Sequence, residues 1–201
     1  MKTYRTIIIG FWLFIAFANT TYAYPPAVGI MSKSKSCLSC HVNNGPWTDN
    51  ERTIIDIIDK ETMKSVRRTD GTFLLEVKRG EQKTFFTVIG RTSGDNLPPP
   101  NRNAWIYIDP AKIESNELSK FAPGWEVNLP ISCRVVGDKL HGFEGAVITA
   151  LPMTIQPTKE AKDSELQLQL MLTKGESIKG EAKKGMLGNY FERKVILKVI
   201  E

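Results

Sequence analysis

Along residues 125–135 every second position is apolar or a cysteine: Trp125, Val127, Leu129, Ile131, Cys133 and Val135. A period of two sets those side chains on one face of an extended strand, a pattern no helix can use. On this reading Cys133 points inward with Trp125 and Ile131. Pro130 falls on the opposite face and marks an edge or a bulge. The alternation returns at Leu166, Leu168, Leu170 and Leu172, interleaved with Gln167, Gln169 and Met171, and again at Val195, Leu197 and Val199. Residues 72–78 and 85–89, separated by Arg79-Gly80-Glu81, are further β-rich runs, as is 104–108 after Pro98-Pro99-Pro100.

Helix signals are few. Residues 114–121 fit a short helix ahead of Pro123-Gly124. Thr48 with Glu51 resembles a capping box, yet residues 53–58 are strongly β-branched, so a turn leading into a strand is expected there. Residues 174–189 are rich in Lys and Gly and read as an exposed loop. The prediction is a mainly β chain: an antiparallel β-sandwich, for which an immunoglobulin-like arrangement is one candidate, formed by residues 54–201. The composition of the 201-residue chain, 24% charged and 41% hydrophobic, excludes a wholly disordered polymer. Its net charge of +5 comes without a dense basic block and argues against nucleic-acid binding.

Lys2 and Arg5 precede an uncharged apolar stretch at 7–18, followed by Thr21 and Ala23. That order predicts a secretory signal at 1–23, cleaved after Ala23. The stretch is well short of the ~20 residues a membrane-spanning helix needs, so no stable insertion is expected. The mature chain would work in the periplasm or an equivalent extracytoplasmic compartment.

Within the segment 24–53 lies Cys37-Leu38-Ser39-Cys40-His41. Cys-x-x-Cys-His is the attachment pattern of c-type haem. Two thiols at that spacing reach the two vinyl groups on one porphyrin edge, and the next residue offers an imidazole nitrogen to the iron. Three other readings compete. A thioredoxin-like pair needs a βαβ context, which does not follow, and a plain disulfide leaves His41 unexplained. A zinc site could recruit Cys37, Cys40, Cys133 and His141. The export signal together with the adjacent histidine favours haem, one per chain, held by Cys37 and Cys40 with His41 on the iron. In residues 37–41 the chain resembles exported monohaem c-type cytochromes.

With two cysteines committed, Cys133 has no intrachain partner. It is either a small buried hydrophobe or the distal iron ligand. Its rivals look poorly placed: His141 sits in an apparent hairpin turn, Met63, Met171 and Met186 lie at turns, outward positions or loops, and Met31 is close to the attachment edge. Met153 is the best thioether candidate. A β-rich monohaem chain with a spare cysteine resembles the small NaxLS-type cytochromes of anammox metabolism. That resemblance implies His/Cys ligation through His41 and Cys133, a heterodimer with a related chain, and binding of nitric oxide or carbon monoxide. Trp105, Tyr107, Trp125 and the strand edges are expected to offer apolar surface to such a partner. Gas binding and electron exchange with a redox partner protein share every residue named. An enzyme is not expected, since one further histidine leaves little acid–base machinery.

Overall fold

The period-two segments pair into two sheets in the computed structural model, which describes residues 36–113, 121–179, 181 and 183–201. In chain order the strands are β1 (Thr53–Asp59), β2 (Phe73–Lys78), β3 (Lys83–Thr92), β4 (Arg102–Ile108), β5 (Trp125–Val127), β6 (Ile131–Val135), β7 (Ala146–Pro157), β8 (Ser164–Gly175) and β9 (Met186–Ile200). The first sheet has the order β1-β3-β7-β5 and the second β2-β9-β8-β4-β6. The pairs are antiparallel apart from β2 with β9, which run parallel from Phe73 opposite Val195 to Lys78 opposite Ile200. The fold is the mainly β sandwich that the alternation predicts, with one parallel pair at an edge. No hairpin joins β2 to β9, so nothing local obliges them to run antiparallel.

The facing surfaces of the two sheets share one core. Leu166, Leu168, Leu170 and Leu172 of β8 lie in it with Trp105 and Tyr107 of β4, and Phe85, Ile89, Met153 and Ile155 line it from the other sheet. Trp105, Tyr107 and Trp125 are therefore core residues, 2%, 0% and 6% exposed, and supply no surface to a partner. Aromatic side chains carry the largest apolar area, which explains why the sandwich keeps them for itself.

The run 125–135 is not one strand. β5 pairs with β7 in the first sheet and β6 with β4 in the second, so the chain changes sheets at 128–130. Leu129 turns the corner at φ 62°, and the Pro130 carbonyl accepts the Tyr107 N–H at 2.8 Å. The change of sheet also changes which alternate positions face the core, and Cys133 ends on the outer face rather than the inner one. Residues 174–189 are likewise not loop throughout. β8 and β9 continue their ladder to Gly175 opposite Met186. At the other end, β1 begins at Thr53, whose hydroxyl donates to the Asp49 carbonyl at 2.8 Å. The expected helix at 114–121 falls, apart from Phe121, outside the described residues, as do the signal segment 1–23 and Met31. Among the described residues no helix is long and apolar enough to cross a membrane.

Two polar side chains inside the sandwich, Asn103 and Tyr107, reach partners on the opposite sheet. The Asn103 amide donates to the Ile89 carbonyl at 2.8 Å, and the Tyr107 phenol meets the Thr87 hydroxyl at 2.7 Å. Burial pushes the Tyr107 phenol up, so it stays neutral. At one end, Arg91 is ion-paired with Asp49 and Asp95. Next to it, Gly90 admits no side chain, since a Cβ there would stand 2.1 Å from the Val147 carbonyl oxygen.

Two outcomes follow from these pairings. Thr87→Val strands a buried phenol and should cost about 1–3 kcal/mol in denaturant unfolding, whereas adding Tyr107→Phe should recover part of that loss. The Arg91 guanidinium, by hydrogen bonding, holds the carboxyls of Asp49 and Asp95 below the usual range. A depressed carboxyl contributes stability that is complete above its unfolded pKa, about 3.9, and is lost as pH falls through the lower folded value. Stability measured from pH 5 downward should therefore fall less steeply in Arg91→Met than in the parent.

Candidate haem-attachment site

Residues directly opposed in an antiparallel ladder share a face. Trp105, Leu170 and Phe191 form an inward rung of the second sheet, so the neighbouring rung of Cys133, Ala104, Met171 and Tyr190 points outward. The next outward rung holds Ile131, Ile106, Gln169 and Glu192. Outward positions of a sandwich usually meet solvent, yet Gln169 is 1% exposed and Met171 0%. Part of the cover is the segment that begins with the Cys-x-x-Cys-His motif.

Cys37–Ser39 form one 3-10 turn, closed by the Cys40 N–H to the Cys37 carbonyl at 3.2 Å and the His41 N–H to the same oxygen at 3.0 Å. Cys40 caps the turn, so the two cysteines are held one turn apart in backbone. Among the described residues, which include all three cysteines, no disulfide forms. The Cys37 N–H donates to the Gln169 side-chain oxygen at 3.0 Å. Beyond the motif, the Asn43 side-chain oxygen accepts the Tyr190 N–H at 3.0 Å, and the Asn44 and Gly45 N–H groups both reach the Gly188 carbonyl at 2.8 Å. Asn189 accepts the Trp47 N–H at 2.6 Å, and Trp47 is wholly buried in the core. Gly188 lets the segment come this close: a Cβ there would lie 2.8 Å from both the Val42 carbonyl oxygen and the Met171 methyl.

The setting keeps Cys37 and His41 uncharged. Burial, only partly offset by a backbone hydrogen bond, pushes the Cys37 thiol up to about 12. Burial lowers the His41 pKa, which favours the neutral ring, the form that binds metal. His41 Nδ1 is enclosed and has no hydrogen-bond partner among the described residues. A buried polar nitrogen left unpaired is costly, so this atom calls for a partner that the described chain does not supply. Burial also raises the Cys133 thiol, against the pull of Arg102.

Cys133 is half-buried on β6, two strand spacings from Met171 across Ala104, or about 10 Å between backbones. The structure thus puts it on the same outer face as the motif. It does not do so for His141, which is 91% exposed beside Glu144, in a turn after β6 whose Leu140 and Phe143 pack against the outer side of the first sheet. The Cys37, Cys40, Cys133 and His141 zinc set is therefore not assembled. Among the described residues no group of three or more His, Cys, Asp or Glu is placed to hold a metal ion. Met153 is in the core between the sheets, 1% exposed, where it packs rather than ligates. Met171 is the methionine that shares the rung of Cys133. The residue types present fit a covalently tethered haem: two thiols three positions apart, an imidazole with an orphaned nitrogen, and a third thiol on the same outer face of the sheet.

Sequence reasoning missed Gln169, Gly188 and Asn189. The one available signal was the pair of glutamines alternating with four leucines on β8, since a strand polar on one side can bind a covering segment there.

No protein-family model matches the chain, and no curated protein is significantly similar to it. Among solved structures, an ASH/PapD-like domain of human CEP192 aligns over 78% of this chain and 92% of its own, at 10% identity and a TM-score of 0.32.

Asn189 ties the segment to the sandwich at a buried point. Asn189→Ala should cost about 1–3 kcal/mol and speed proteolysis between residues 41 and 47 while the strand signal in circular dichroism persists. Limited proteolysis with mass spectrometry reads both fragments.

Proposed function

We propose that this protein is an exported monohaem c-type cytochrome whose haem is tethered by Cys37 and Cys40, with His41 and Cys133 as iron ligands. The observation that carries the reading is the half-buried His41, whose enclosed Nδ1 has no partner among the described residues, directly after the two cysteines. Cys37 and Cys40 would contribute thioether bonds that outlast unfolding. His41 would give a ring nitrogen on the attachment side. Cys133, from the edge strand of the same sheet face, would give its thiolate to the iron. Bound there, the group supplies one-electron exchange and an iron site for nitric oxide or carbon monoxide. Letting go of Cys133 would open that site. The resemblance to NaxLS-type chains supports a dimer with a related cytochrome and an extracytoplasmic address.

Met171 supports a second reading, with His41 and a thioether as ligands. It is fully buried on the rung of Cys133, beside the motif segment.

Denatured protein should keep its haem on a gel and in mass spectra, and Cys37→Ala with Cys40→Ala should abolish it. A colourless protein holding zinc overturns the proposal. Cys133→Ala should move the iron toward high spin and raise carbon monoxide affinity, whereas Cys133→Met should raise the reduction potential, because a thioether favours ferrous iron. His141→Ala and Met153→Ala should leave the spectrum unchanged, although Met153→Ala should cost about 2–5 kcal/mol of stability. A silent Cys133→Ala with loss of the low-spin signal in Met171→Leu assigns the ligand to Met171 instead.

A further inference from the structure

We propose that Gln169 is a positioning residue that fixes the Cys37–His41 turn against the sheet, and with it the iron relative to Cys133; this rests on the haem reading above. Glutamine is rarely enclosed, because both ends of its amide then need partners. Here it is 1% exposed on an outward rung. Its oxygen accepts the Cys37 N–H at 3.0 Å, and its nitrogen donates to the Gln167 side-chain oxygen at 2.6 Å. The amide is thus held in one orientation by a donor on one side and an acceptor on the other.

The placement is specific. The first N–H groups of a helical turn have no partner within it. Gln169 supplies one from a strand 132 residues further along the chain. The other anchors described, at Asn43, Asn44, Gly45 and Trp47, all come after His41. Gln169 thus fixes the first residue of the motif, and its loss would free the Cys37 backbone to shift over the sheet. Gln169 is opposite Ile106 and one outward position from Met171, on the rung that carries Cys133. One side chain therefore couples the motif to the register of the strands that carry the distal ligand. Any slide of the turn would orphan the Cys37 N–H and the buried amide oxygen together.

The test uses the full chain, haem-loaded and isotope-labelled, as Gln169→Leu and as Gln169→Glu, which keeps an acceptor oxygen. Gln169→Leu should retain covalent haem but exchange the Cys37 amide proton roughly tenfold faster. Its spin resonance spectrum should show a second iron species, and carbon monoxide should bind the reduced protein severalfold faster. Gln169→Glu, which keeps the acceptor for the Cys37 N–H, should restore slow exchange at Cys37. If the leucine variant does not fold, Gln169→Met carries the same measurements. Unchanged exchange at Cys37 overturns the proposal, and so does faster exchange with an unaltered iron spectrum, which would leave Gln169 only a packing role. A colourless parent protein defeats the haem reading separately, and Cys37 exchange in that chain then decides whether the amide holds the turn.

Discussion

Strand β8 is buried on both of its faces from Leu168 to Thr173. Its leucines fill the space between the sheets, and its intervening Gln167, Gln169, Met171 and Thr173 lie beneath other parts of the chain or close to them. A strand in that position cannot leave polar groups uncovered without cost, nor can it accept a purely apolar cover. The segment from Ser36 to Trp47 meets both requirements. It brings a backbone N–H to Gln169, closes over Met171 at Gly188, and ends in Trp47, which enters the core. The motif is thus a constituent of the second sheet's outer layer, and its position is set by the sandwich.

Much of the body could be read from residue order. The leucines of β8 and Ile55 and Ile57 of β1 face one core because period-two patterning fixes which side of a sheet they occupy. The failures share a cause. Alternation within a strand gives a face only relative to its own neighbours and says nothing of which sheet the strand joins. The passage from β5 to β6 exchanges sheets at Leu129, and so reverses the meaning of inward for Cys133. The parallel pairing of β2 with β9 depends on a contact between residues more than a hundred positions apart, which no local pattern encodes.

The site was legible in its chemistry and not in its surroundings. Cys37, Cys40 and His41 announce themselves by spacing. Gln169, Gly188 and Asn189, which hold them in place, belong to residue types with many uses, and their role exists only once β8 and β9 are paired. Methionine shows the same limit. Met153 and Met171 are indistinguishable as residue types, and the ladder register alone sends one into the core and the other to the outer face.

The long separation between the motif and its seat has a temporal consequence. Synthesis proceeds from the first residue, so Cys37 emerges well before Gln169, and β2 waits for β9 to supply its parallel neighbour. Topologies that depend on such distant pairings fold slowly, because loop closure must precede the contacts that reward it. Throughout that interval the two thiols and the imidazole have no sheet to lie on and are open to whatever acts upon them. Once the last strands arrive, the same groups are half-buried against the second sheet, with the Cys37 N–H on Gln169.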